Sequence, residues 1–159
     1  MFSNYNDFSM SDTFLRIIPT DPVFVPTFEA GEMARLKLIE LLPAADEVEK
    51  IQFAEIQFVD QGGNFERLLC PYCKADLTQH MSKWFDAASQ SRFTARKVSL
   101  PCCANSADLN DLDWQWPAGF ATFMLEAKNP HLPGWLPEGA KKNLEAVLGC
   151  RLREIYAHY

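Results

Sequence analysis

Apolar positions between residues 28 and 42 recur at three- and four-residue steps. Ala30, Ala34, Leu38 and Leu41, joined by Met33, fall on one stripe, so the spacing predicts an amphipathic helix with Thr27 as N-cap and Pro43 as stop. Upstream, residues 13–19 (TFLRIIP) read as a strand, and the proline-punctuated residues 21–26 carry the chain out of it. Residues 51–59 alternate apolar and polar, but the apolar phase slips between Phe53 and Ile56. A β-bulge or a polar residue on the inner face produces such a slip.

The last third of the chain repeats this grammar. Residues 120–127 (FATFMLEA) read as a strand ended by Asn129-Pro130. A helix over 137–148 aligns Ala140, Leu144, Val147 and Leu148, Gly149 fits the left-handed position after a helix, and 151–158 form a final strand. Strand-helix-strand twice in one chain predicts a ferredoxin-like α+β sandwich, two helices on one face of a four-stranded antiparallel sheet. The 159 residues suit one domain, with the core built from 12–64 and 117–159.

The stretch between the halves exceeds a hairpin loop. Residues 61–64 (QGGN) mark a turn and 65–69 a short strand leading to Cys70-Pro71-Tyr72-Cys73. A helix over 77–89 carries Leu77, Met81, Trp84 and Ala88 on one stripe, with Asp76 and Gln79 spaced as a capping box. A strand over 94–100 then delivers the chain to Pro101-Cys102-Cys103. An inserted subdomain at about 65–116, with a cysteine pair at each of two strand ends, follows.

Five cysteines are an odd number, and four of them fall in two tight pairs, a grouping that points to metal before disulfides in a reducing compartment. A Cys-x-x-Cys turn offers two thiolates from one backbone reversal, half of a tetrahedral zinc site. The motif Cys70-Pro71-Tyr72-Cys73 resembles the first knuckle of a zinc ribbon. The resemblance implies structural Zn²⁺ held by Cys70, Cys73, Cys102 and Cys103, fastening an insertion too small to hold a core alone. The second element departs from that pattern, with Leu100 where a ribbon places its first cysteine, and an extended backbone would point adjacent Cys102 and Cys103 to opposite sides. The fourth ligand is therefore open among these two, His80, Asp108 and water. The pairing of Cys-Pro-x-Cys with a later Pro-Cys-Cys is also similar to small uncharacterised bacterial proteins, which adds no function. The same Cys-Pro-Tyr-Cys resembles the glutaredoxin motif, which would make Cys70 the attacking and Cys73 the resolving thiol of a thiol-disulfide oxidoreductase.

With 15 basic against 21 acidic residues the net charge is -6, which disfavours nucleic acid as the main partner and favours a basic protein. Residues 1–10 show neither the basic start nor the apolar run of a signal peptide, and no segment reaches membrane-span length, so a cytoplasmic protein is expected. No nucleophile elbow, phosphate loop or His-Glu-x-x-His motif occurs. A non-enzymatic, zinc-stabilised interaction module of adaptor or toxin-neutralising type is the leading expectation. The acid-aromatic run 109–116 is its candidate surface, while Trp114, Trp116 and Trp135 as a group read first as covering the sheet or sealing the insertion, with partner binding as their alternative role. Asp111 and Asp113 read as a solvated turn edge, Cys150 as a core thiol, and His131 and His158 as ordinary packing or solvent histidines.

Overall fold

The computed structural model describes residues 11–159, so the reading of residues 1–10 lies outside the described part. The elements in chain order are β1 (Thr13–Pro19), α1 (Phe28–Leu41), β2 (Glu47–Val59), β3 (Arg67–Leu69), α2 (Met81–Ser89), β4 (Lys97–Ser99), β5 (Ser106–Asp108), β6 (Asp113–Gln115), β7 (Gly119–Lys128), α3 (Glu138–Leu148) and β8 (Leu152–His158). Four strands form one antiparallel sheet in the order β2-β7-β1-β8, and β3-β6 and β4-β5 form two short ribbons.

Local chemistry fixes the helices on that sheet. Thr27 Oγ1 accepts the Ala30 N–H at 3.1 Å, closing the start of α1 as the sequence predicts. Gly149 ends α3 at φ 78°, where its N–H donates to Glu145 O at 2.8 Å. Ala34 and Leu38 of α1 and Leu144 and Leu148 of α3 pack with Leu15, Ile17, Phe123, Leu125 and Ala127, so both helices cover the same sheet face.

The phase slip in β2 is a pronounced irregularity. Gln52 pairs with Phe123 and Gln57 with Ala121, which sets residues 53–56 against Thr122 alone. Beyond it, Ile56 and Phe58 join Phe120 in a second core with Leu68, Cys70, Leu77 and Trp114. Phe120 is fully buried there, its ring 5.2 Å from Phe58, 5.7 Å from Phe85 and 5.3 Å from Phe93 between centroids. One side chain of β7 thus gathers aromatics from β2, from α2 and from the segment after α2.

Two local expectations change. Residues 78–80 form a 3-10 turn before α2, because Asp76 accepts the Thr78 N–H at 2.9 Å and its hydroxyl at 2.6 Å, while Gln79 turns to His80. No capping box forms. The strand expected over 94–100 shrinks to β4, because Arg92 and Phe93 leave α2 with φ of 56° and 62° to bring Phe93 onto Phe120. Asp111 closes a second 3-10 turn (Leu109–Asp111) and Asp113 opens β6, which keeps the pair at the edge of a turn.

Asn110 has no predictive signal in the sequence, yet it joins this region to the sheet. It is 3% exposed; its Oδ1 accepts the Phe120 N–H at 2.9 Å and Arg153 Nη1 at 3.1 Å, and its Nδ2 donates to Thr20 O at 2.9 Å. Asn110→Ala leaves the buried Phe120 N–H without its acceptor and takes one bond each from Thr20 O and from Arg153, which keeps Asn110 O and Ala118 O. It should lower unfolding free energy by about 2–4 kcal/mol in urea denaturation, and a loss below about 0.5 kcal/mol would show that water replaces the amide.

Candidate metal centre

Two hairpin turns of the same construction face each other. In the first, the Cys70 N–H donates to Ala75 O at 2.9 Å and the Lys74 N–H returns to Cys70 O at 3.0 Å, with Lys74 at φ 63°. In the second, the Leu100 N–H donates to Asn105 O at 3.0 Å across the end of the β4-β5 ribbon. The first residue of each turn thus bonds to the fifth residue after it. Leu100 therefore holds the place of Cys70, and Cys103 that of Cys73.

Leu100 is buried in the second core, so its side chain serves packing. Cys102 takes over as the remaining thiol. Residues 101–104 lie in a turn rather than an extended strand, and this bend brings Cys102 Sγ and Cys103 Sγ to 4.0 Å of each other. The expectation that adjacent cysteines diverge fails for that reason.

The Sγ atoms of Cys70, Cys73, Cys102 and Cys103 all lie within 4.8 Å of one another, with Cys70 and Cys103 at 3.9 Å. Zinc-sulfur bonds of about 2.3 Å in a tetrahedron give sulfur-sulfur edges of about 3.8 Å. The four cysteines are thus at metal-binding distance and compatible with a zinc site. His80 stacks on Trp84 with ring centroids 5.4 Å apart, and Asp108 holds Arg96 by two bonds of 3.0 Å while accepting the Asn110 N–H at 2.8 Å. Neither residue belongs to the cluster.

The four thiols differ in setting. Cys70 is buried, Cys103 half-buried, and Cys73 and Cys102 are exposed. Burial raises the Cys70 thiol, but the N–H groups of Cys73 and Tyr72, with the thiols of Cys102 and Cys73, outweigh it and bring Cys70 down to about 6. The Tyr72 N–H sits 3.4 Å from its sulfur. Desolvation, followed by the thiols of Cys73, Cys70 and Cys103, pushes Cys102 up to about 12. Asn105 Nδ2 donates to Cys103 Sγ at 3.6 Å, a sulfur contact that the sequence did not signal. Lys74 and Asp113 pair at 3.0 Å beside the first turn.

The other candidates stand apart from this cluster. Cys150 packs beside the main core, where burial and then Glu145 and Asp21 push its thiol up to about 11. His131 lies in a loop at φ 53°, and His158 Nδ1 is 3.3 Å from Thr13 Oγ1. Trp114 is buried and donates to Leu109 O at 3.0 Å. Trp116 and Trp135 are exposed, 6.2 Å apart between rings, and line a cavity of about 310 Å³ with Tyr156. Among the described residues, no helix is long and apolar enough to cross a membrane.

Comparison with family models, with curated proteins and with solved structures gives no match to this chain.

The unequal burial orders the thiols chemically. In the presence of a chelator, iodoacetamide followed by peptide mass spectrometry should label exposed Cys73 first and buried Cys70 last, with Cys102, exposed but pushed up to about 12, behind Cys73. Fastest labelling at Cys70 would show that its lowered pKa, rather than its burial, governs access.

Proposed function

We propose that this chain is a non-enzymatic protein-interaction module of the cytoplasm, in which zinc on Cys70, Cys73, Cys102 and Cys103 fastens a zinc-ribbon-like insertion over 65–116. The observation that carries the reading is the convergence of the four sulfurs within 4.8 Å on two hairpin turns far apart in sequence. A closed set of four thiolates suits a structural zinc site, since a catalytic one keeps a position for water or substrate. Bound there, the ion supplies charge neutralisation and a crosslink, while the chain supplies the two turns that aim the thiols. Adaptor and toxin-neutralising proteins are instances of such a module.

The core reads as ferredoxin-like. Support comes from the order β2-β7-β1-β8 with every neighbour antiparallel, and from α1 and α3 packing together on one face. Residues 12–64 and 117–159 supply that core, and the β3-β6 and β4-β5 ribbons with α2 make up the insertion. The net charge of -6 favours a basic partner protein and disfavours nucleic acid.

Two placements weigh against the oxidoreductase reading. The Cys70-Cys73 motif sits in a hairpin turn well before α2, without the helix N-terminus that activates a glutaredoxin-type thiol, and Cys70 is buried. Native mass spectrometry of protein purified without added metal tests the choice. One zinc per chain and no disulfide is expected, with a melting temperature that falls by roughly 5–10 °C in chelator and by a similar amount in Cys70→Ser or Cys73→Ser. Metal-free protein with a reversible Cys70-Cys73 disulfide and glutathione-disulfide reductase activity would replace this reading with the enzyme.

A further inference from the structure

The two edges of the main sheet are finished differently. Along β8, the Leu152 N–H donates to the Glu145 carboxylate at 2.9 Å, Asn64 Nδ2 donates to Tyr156 O at 3.1 Å, and the Gly63 N–H donates to His158 O at 2.7 Å. Trp135 packs edge-on against Tyr156 beside them, with centroids 4.9 Å apart. That edge is built over. Along β2, among the described residues, no hydrogen bond reaches the backbone of residues 47–52 from any element except β7. A regular run of six extended residues, roughly 20 Å, thus has no partner on that side among the described residues.

The register fixes what the open edge presents. The Asn129 N–H donates to Thr13 O, so odd-numbered residues of β7 bond to β1 and Lys128, Glu126 and Met124 bond to Glu47, Glu49 and Ile51. Val48, Lys50 and Gln52 are left with N–H and C=O turned outward. A strand added antiparallel would exchange hydrogen bonds with these three. Its intervening residues would face Glu47 and Glu49 across non-hydrogen-bonded pairs, where side chains approach most closely.

Charge selects the occupant. Glu47 and Glu49 are exposed, and neither has a cationic partner among the described residues. Glu126 stands beside Glu49 in register and is taken by Arg16 at 2.8 Å. A second copy of β2 is a poor fit: antiparallel self-pairing centred on Val48 sets Glu47 opposite Glu49, centred on Glu49 it sets Glu49 opposite itself, and centred on Lys50 it sets Lys50 opposite itself. On the helix side of the same edge, Lys50 Nζ lies 3.8 Å from the centre of the Phe28 ring, which is 75% exposed. An apolar side chain next to Lys50 would cover that ring.

We infer that the free edge of β2 is the docking site, and that it takes an extended partner segment alternating Lys or Arg with apolar residues, added as a fifth strand opposite Glu47 and Glu49. The inference rests on the interaction-module reading and names its surface.

The test uses the full chain, a blocked hexapeptide alternating lysine with valine, and a second alternating glutamate with valine. Amide exchange by NMR should show protection at Val48, Lys50 and Gln52 with the lysine peptide. The double variant Glu47→Lys/Glu49→Lys, whose changes lie on exposed positions, should bind that peptide about tenfold more weakly and prefer the glutamate peptide. Lack of protection at those amides, equal affinity in the double variant, or dimerisation through β2 would overturn the proposal. Lysine-peptide binding mapped to Trp116 and Trp135 would also overturn it while sparing the interaction-module reading.

Discussion

Four thiols whose sulfurs lie within 4.8 Å of one another cannot all ionise unless a cation sits among them. Within the cluster the thiols are unequal, since the N–H groups of Cys73 and Tyr72 outweigh burial and draw Cys70 down to about 6, while desolvation and then the neighbouring thiols push Cys102 up to about 12. One sulfur takes the charge first and another takes it last. A divalent ion that favours soft ligands would remove the conflict, and in doing so it would tie the turn after β3 to the turn between β4 and β5.

The remainder of residues 65–116 depends on two further attachments, both to the sheet. Phe120 supplies the apolar one, with aromatic neighbours from β2, α2 and the segment after α2. Asn110 supplies the polar one, joining the end of β1, the start of β7 and the Arg153 side chain of β8. Ribbons of three residues per strand are too short to stand alone, and their side chains share the second core with Ile56 and Phe120 of the sheet. A thiol cluster at one end and the Phe120 and Asn110 contacts at the other leave the region fastened at both.

The sheet and its helices were legible because their signals are periodic and local. Thr27 and Gly149 mark helix ends by chemistry that does not depend on the rest of the fold, and the phase slip between Phe53 and Ile56 announces the irregularity in β2. The paired cysteines were legible as a cluster for the same reason. What escaped was set by tertiary contact. Leu100, at the place that matches Cys70, fills the second core, and Cys102 joins the cluster from a turn that no periodicity reveals. Asn110 shows itself only when three strands converge on its amide. Trp114, Trp116 and Trp135 look alike in sequence, and the fold buries one while exposing two.

The claim on which this account turns is that all four cysteines hold one zinc. X-ray absorption at the zinc edge, on protein purified without added metal, measures it directly. The account predicts a single shell of four sulfurs at about 2.3 Å. A shell containing nitrogen or oxygen, or protein that carries no zinc, would contradict it.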